Sequence, residues 1–321
     1  MPPFPKPKFA YDFDVDEQIA ALRAHESRAP GRAIPRKADD RLLVATWNIA
    51  NLGLQERRPD DYRLLGEIVS WFDLIAVQEV NDNLTGIRGL HDALPDRYAL
   101  SFSDASGNNE RQAFFHDTRK VRLGEKVGRV AIPPSELDDI DFPGVTDRFD
   151  GFDRGPYVAA FHAGDFVVLL VNVHLFFGSD KPADKARRAQ ETLAVARWAD
   201  HRRRSKNAYT KDIVALGDFN LPKAQPGDPI HDALTSRGLE LPAHSTQIAS
   251  SISTDNHYDQ VAFVSSETSE FTGRVGVFDY DTAIFRDLFE DRGLKDLQAY
   301  CRYYMSDHRP MWAEFRTKAS G

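Results

Sequence analysis

The sequence is organised by short apolar runs, rich in Val, Ile, Leu and Ala, that stop at polar residues. RLLVATWN (41–48), DLIAVQEV (73–80), DIVALGDFN (212–220), YDQVAFV (258–264) and RPMWAEF (309–315) have the length and β-branched content of buried strands, and RQAFFH (111–116) that of a shorter one. PYVAAFHAGDFVVLLVNVHLF (156–176) is two strands folded back at Ala163–Gly164. Helical spacing appears at 60–72, where Leu64, Leu65, Ile68 and Phe72 share a face and Asp60 or Asp61 caps the start, and at 183–204, where Ala186, Ala189, Leu193 and Ala196 form a core stripe. Strands separated by helices and strands joined by hairpins both occur, which predicts mixed sheets in an α/β (α+β) chain. Trp47 and Trp312 fall inside strands and are expected in the core. Residues 131–156, rich in Pro, Asp and Gly, read as a long surface loop. No linker interrupts 41–316, so one domain is expected there, with a short tail at 317–321.

Residues 1–40 differ in composition, with Pro2, Pro3, Pro5, Pro7, Pro30 and Pro35 among them. VDEQIAALRAHESR has Ile19 and Leu22 on one helical face. Two readings stay open: a helical segment packed on the body or on a partner, and a partly ordered tail. No apolar signal-like segment opens the chain, and no stretch approaches the roughly 18 apolar residues of a membrane span. With Cys301 as the lone cysteine, no intramolecular disulfide can form, and a soluble cytoplasmic protein is the expectation. Nothing in the sequence calls for an obligate protein partner.

The residues at the strand ends carry the chemistry: Asn48, Glu79, His174, Asp218 with Asn220, Asp259, and Asp307 with His308. Side chains just beyond the ends of packed strands can converge on one rigid site. A hard cation such as Mg2+ takes oxygen ligands, one or two carboxylates plus water and substrate phosphate, and Glu79, Asp218, Asn220 and Asp307 offer such oxygens. The absence of CxxC and HExxH disfavours zinc of the usual kinds. Imidazole serves as general acid or base near neutral pH, which suits His174 and His308 to phosphoester hydrolysis. His116, His162 and His257 read as structural or surface residues, Cys301 lacks a Cys/His arrangement, and the run Arg202, Arg203, Arg204, Lys206 reads as a solvated helix end.

Taken in order, WNIANLG, QEV, VNVHL, GDFN, YDQVAF and SDHRP resemble the motifs of the endonuclease/exonuclease/phosphatase superfamily, with deoxyribonuclease I as the nearest branch, over about Leu42 to Phe315. The resemblance implies a four-layer sandwich, two packed mixed β-sheets flanked by helices. It implies metal binding at Glu79 and Asp307, with Asn48 supporting the site and with Asp218 and Asn220 holding metal and phosphate. His174 and His308 match the two catalytic histidines, Asp259 the carboxylate orienting His308, and Glu110 (in NNERQAFF) the partner of His174. Arg154 (in DRGPYVAAF) resembles a phosphate-contacting arginine, and Thr254 is placed near the phosphate. The implied cofactor is Mg2+, with Mn2+ or Ca2+ as substitutes, and the implied substrate is DNA or another phosphodiester.

Departures from the deoxyribonuclease I pattern concern duplex reading. Asn81 follows QEV where that branch has an arginine for the minor groove, and Asn108 stands where it has a stacking tyrosine. The net charge of −8 also gives no broad basic footprint for DNA, although a bound cation reverses the local field. QEV also departs from the QETK-like motif of the AP endonuclease branch, and NHYDQVA stands where inositol phosphatases carry a PAWCDRI-like motif. Three functions are therefore weighed: a DNA endonuclease, which ERQAFF and RGPYVAAF favour; a phosphatase or phosphodiesterase acting on a phosphoinositide or nucleotide; and a non-catalytic binding module of the same fold, against which stands the presence of every expected catalytic residue.

Overall fold

The computed structural model describes residues 3–26, 32–143, 145, 147–243, 246 and 248–318. In chain order its elements are α1 (Val15–Glu26), β1 (Arg41–Leu52), α2 (Pro59–Ser70), β2 (Leu74–Asn81), α3 (Thr85–Asp92), β3 (Tyr98–Phe102), β4 (Glu110–Asp117), β5 (Arg122–Arg129), β6 (Tyr157–Ala163), β7 (Phe166–His174), α4 (Pro182–Arg204), β8 (Ile213–Asp218), α5 (Pro229–Thr235), β9 (Asp259–Phe263), β10 (Phe271–Val277), α6 (Arg286–Arg292), α7 (Leu294–Tyr304) and β11 (Met311–Arg316).

The strands form a six-stranded sheet, β10-β11-β1-β2-β4-β3, and a five-stranded sheet, β5-β6-β7-β8-β9. Both are mixed. β1 and β2 run parallel across the α2 crossover, β7 and β8 run parallel across α4, and every other pairing is antiparallel. Successive side chains of a strand face opposite ways, and β1 shows the result. Leu42 and Val44 enter the apolar cluster between the sheets, with Phe114, Phe161 and Leu216, while Leu43, Ala45, Trp47 and Ile49 pack on the other face with residues of α1, α2, α3 and α7. A third cluster lies between the five-stranded sheet and α4 and α5. Three apolar interfaces stacked in this way make the expected four layers.

Local chemistry accounts for the helix ends. Pro59 and Pro182 sit at first helical positions, where a missing N–H costs nothing. Asp61, not Asp60, reaches back to accept from the Arg58 N–H at 2.7 Å. At the other end of α4, Arg203 and Arg204 pair with Asp200 at 2.6 and 2.8 Å, which leaves this basic run a solvated helix end.

One stretch differs from its reading in the sequence, and another follows one of the two readings left open for it. Residues 131–156 are more than a surface loop: a 3₁₀ turn covers Pro134–Asp139, and Ile140 and Phe149 are buried beneath α4. The N-terminal segment packs on the body. Leu22 is fully buried, Val15 and Ile34 join the same cluster, and Phe9, Tyr11 and Phe13 pack against it. Ser27, Arg28 and Pro30 lie outside the described residues, as do 319–321 of the tail. Thr317 still donates its N–H to the Asp40 carbonyl. No helix of the described residues is long and apolar enough to cross a membrane.

Leu22→Ala is expected to lower the unfolding free energy by about 2–5 kcal/mol, the usual cost of emptying a buried leucine site. A urea midpoint equal to that of the wild type would show that α1 is not part of the cooperative core.

Candidate active site

The ends of β1 and β2 in one sheet and of β7, β8 and β9 in the other meet at one edge of the sandwich. Register sets the spacing there. His174 pairs with Asp218 across β7 and β8, and Asp218 pairs with Asp259 across β8 and β9, so three functional side chains stand in one row. Gly217 permits this closeness: a Cβ there would lie 2.1 Å from the Val173 carbonyl oxygen, and its φ of +136° suits glycine alone. In the six-stranded sheet the register of β2 slips against both neighbours before Val80. Glu79, inside that irregularity, adopts φ 59°. A bulge re-aims a side chain in this way. Asn51 and Asn220 are also left-handed, at φ 50° and 53°, so backbone strain concentrates around the site.

Asn48 joins the halves. Its Nδ2 donates to Glu79 Oε1 and to Asp218 Oδ2, each at 3.0 Å. Glu79 Oε2 accepts from the Asn51 N–H at 2.7 Å, and Asp218 Oδ1 from the Asn220 N–H at 2.8 Å. Two imidazoles flank Asp218. His174 Nε2 lies 3.7 Å and His308 Nε2 3.9 Å from Asp218 Oδ2. Each ring is held from behind by a carboxylate, His174 Nδ1 at 2.9 Å from Glu110 Oε2 and His308 Nδ1 at 2.7 Å from Asp259 Oδ2. Burial opposes the charged form of His308, yet the Asp259, Asp218 and Asp307 charges together raise its pKa well above the ordinary value. Burial likewise opposes the charge of Glu110, but His174 and Arg154 draw its carboxyl down to about 2.

These groups surround a cavity of about 420 Å³ whose walls include Glu79, Arg154, His174, Asp218, Asn220, Asp307 and His308. Arg154 is buried, with Nε and Nη2 donating to the carbonyls of His174 and Leu175 at 2.9 and 2.6 Å. It therefore braces the end of β7 as well as lining the cavity. Asn220 Nδ2 likewise donates to the Leu175 carbonyl at 2.8 Å. Thr254 is not brought in: it sits on an exposed turn and its hydroxyl accepts from the Asn256 N–H.

Among the described residues, no group of three or more His, Cys, Asp or Glu side chains converges as a ready metal cage. Magnesium needs less, one or two carboxylates with water and phosphate completing its shell. Two observations suit such an ion beside Glu79 and Asp307. Asn48 Oδ1 is buried without a hydrogen-bond partner. The Asp307 carboxyl, which lines the cavity, is crowded closely enough by protein to push its pKa up to about 6, and the Glu79 charge adds to the rise. Excess negative charge beside an unsatisfied amide oxygen matches a hard cation.

Several contributors escaped the sequence reading. Ser306 Oγ donates to the Asn48 carbonyl at 2.6 Å and accepts from the His308 N–H at 3.0 Å. Trp47, a core residue as expected, also donates its Nε1–H to the His308 carbonyl at 2.8 Å. Phe176, Phe177, Tyr258 and, from the N-terminal segment, Phe4 line the cavity. The Ser of SDHRP was visible in its motif; no local signal marks Phe4.

No protein-family profile matches the chain, and no curated protein matches it. Solved structures do. An endonuclease/exonuclease/phosphatase family protein from Bacteroides thetaiotaomicron aligns over 87% of this chain and 95% of its own, with TM-score 0.55 and 20% identity. The mannosyl-6-phosphatase Bt3783 of B. thetaiotaomicron VPI-5482 aligns over 85% and 98%, with TM-score 0.53 and 19% identity. D. rerio TDP2, solved with a single strand DNA product, aligns over 86% and 98%, with TM-score 0.54 and 14% identity. The fold is that of the endonuclease/exonuclease/phosphatase proteins, as the motifs implied.

Two outcomes check the geometry. Asn48→Ala strips a donor from two buried carboxylates and is expected to cost about 1–3 kcal/mol or more; unchanged denaturant stability would mean the amide does not hold the sheets. A carboxyl with a depressed pKa stabilises the fold above its unfolded value, roughly 4.3 for Glu, and that contribution fades as pH falls through about 2. Glu110→Gln is therefore expected to flatten the acid limb of stability against pH, measured by unfolding at stepped pH; an unaltered limb would exclude the ion pair with His174.

Proposed function

We propose that this chain is a divalent-metal-dependent phosphodiester hydrolase of the endonuclease/exonuclease/phosphatase superfamily, acting on nucleic acid as an endonuclease. The observation that carries the reading is the arrangement of two imidazoles: each has Nδ1 backed by a buried carboxylate and turns Nε2 toward Asp218 Oδ2, at 3.7 and 3.9 Å. A carboxylate behind one ring nitrogen fixes the tautomer and favours the imidazolium formed when the other nitrogen takes a proton. Hydrolysis needs both a base for water and an acid for the leaving oxygen, and this pair offers both.

In the proposed reaction, His308 Nε2 takes the proton of the attacking water, and Asp259 at Nδ1, 2.7 Å away, orients the ring and balances the imidazolium that forms. The water oxygen bonds to phosphorus as the bond to the leaving oxygen breaks, and His174 Nε2 gives that oxygen a proton. Asn220 and Arg154 position the phosphate from the cavity wall. Glu79 and Asp307 would hold Mg2+, with Mn2+ or Ca2+ as substitutes, and with Asn48, Asp218 and Asn220 beside them. When bound, the cation supplies charge stabilisation to the phosphate and the leaving oxygen.

A second reading, a phosphatase on a smaller phosphoester, has one observation in its favour: the fold is shared with a neighbour that is itself a mannosyl-6-phosphatase. One feature of the cavity weighs against a phosphoinositide: among the described residues its wall has one arginine, Arg154, and no lysine, too few cations for a ring bearing several phosphates.

Nicking of supercoiled plasmid is expected with Mg2+ and not with EDTA. His308→Ala and His174→Ala are each expected to lower the rate by about 10² to 10⁴, the usual worth of a general acid or base, and Asp218→Ala to shift the magnesium dependence upward. Near-normal rates in both histidine variants would sink the mechanism. Release of inorganic phosphate from nucleotides without any nicking would move the assignment to the phosphatase reading.

A further inference from the structure

Phe4 poses a question that the catalytic groups do not answer. It belongs to a proline-punctuated segment, with Pro3, Pro5 and Pro7 around it, before the body begins. Its ring is only half buried, and it lines the same cavity as Glu79, Asp307 and His308. Its position is anchored. The Phe4 N–H donates to Gln55 Oε1 at 3.1 Å, and Gln55 is itself buried and donates to the Tyr303 carbonyl at 2.8 Å. The Arg302 guanidinium sits 4.6 Å over the ring. Further along the segment, Lys6 pairs with Glu56 at 3.2 Å, and Phe9 and Tyr11 pack on Tyr300. Proline limits the backbone freedom of this strap, so the ring is presented in a defined place.

The other half of the cavity wall is also aromatic. Phe176 and Phe177 follow β7 and are backed by the guanidiniums of Arg187 and Arg188 at 4.2 and 4.9 Å, and Tyr258 lies beside the His308 ring. Aromatic surfaces thus come from both sides of the sandwich, around a polar floor that handles a phosphodiester. Planar apolar walls beside a phosphate site match a nucleotide, whose base has two π-faces. In the interior of a duplex those faces are taken by neighbouring bases, whereas an unpaired base leaves one free for the wall.

We propose that the N-terminal strap forms part of the substrate wall, and that Phe4 stacks on an unpaired base next to the scissile phosphate, so that single-stranded or frayed nucleic acid is preferred over the interior of a duplex. This rests on the nucleic-acid hydrolase reading above. Phe4 touches no reacting atom in this scheme; it determines specificity through binding.

The test uses the full chain with Mg2+ and compares wild type, Phe4→Ala and Phe4→Trp on a single-stranded oligonucleotide, on the same strand with abasic sites flanking the cleaved bond, and on its duplex. Stacking on a base is worth about 1–3 kcal/mol by alanine substitution, a roughly five- to hundred-fold change. Phe4→Ala is expected to raise KM for the intact single strand by that factor with kcat little changed. It should leave the abasic strand unaffected, and Phe4→Trp should restore KM. Thermal melts of the three proteins should coincide. An equal loss on intact and abasic strands, no change in KM, or wild-type preference for the duplex would each overturn the inference while leaving the hydrolase reading intact. Failure of the wild type to cut any of the three strands would instead overturn the nucleic-acid reading, and this inference with it.

Discussion

One amide nitrogen lies where the two sheets meet. Asn48 Nδ2 donates to Glu79, carried by one sheet, and to Asp218, carried by the other. Just inside, Gln78 repeats the tie, donating to Asn172 Oδ1 at 2.7 Å. Apolar packing between sheets is nondirectional and would tolerate sliding; buried hydrogen bonds to charged acceptors are directional and costly to leave unmade. The polar ties therefore convert two packed layers into a fixed relative position, and the spacing of His174, His308 and Asp218 follows from it.

The end of each sheet that borders the cavity departs from regular geometry where a side chain has to turn. Glu79 leaves the ladder at a bulge with positive φ, and Asn220 turns immediately after Asp218 to bring its own N–H back to that carboxylate. Such conformations persist only where surrounding structure over-determines them. Here the supports are named: the Asn51 N–H on Glu79, the Ser306 hydroxyl on the Asn48 carbonyl, and the Trp47 indole on the His308 carbonyl. The core residue and the site residue are in this case the same side chain.

What the sequence disclosed follows from how locally each feature is encoded. Strands buried on both faces, such as β2, β7 and β8, announce themselves as unbroken apolar runs, and their terminal polar residues stand out against them. The edge strands β5 and β10 do not: RLGEKVGR and FTGRVGV interleave Gly and Arg with few apolar residues because much of their surface meets solvent. The helices α6 and α7 are split by Gly293 at φ 81°, so neither shows a long period. The ten site residues that the structure gathers were marked by type and motif, while Thr254 lay in a polar turn whose direction no residue pattern dictates. Phe4 was beyond reach for another reason. Its neighbours Gln55 and Arg302 are 51 and 298 positions away, and only the folded chain sets them side by side.

The placement of the two chain ends has a practical side. β1 begins at Arg41, next to Thr317, and runs to Asn48 in the polar cluster at the cavity, seven residues or roughly 24 Å at strand rise. The carboxyl end of the described chain is therefore remote from the cavity, whereas the amino end rests on its rim. Purification handles, fluorophores or surface tethers belong at the former; the same additions fused ahead of the strap would crowd the mouth of the cavity and disguise a competent protein as an inert one.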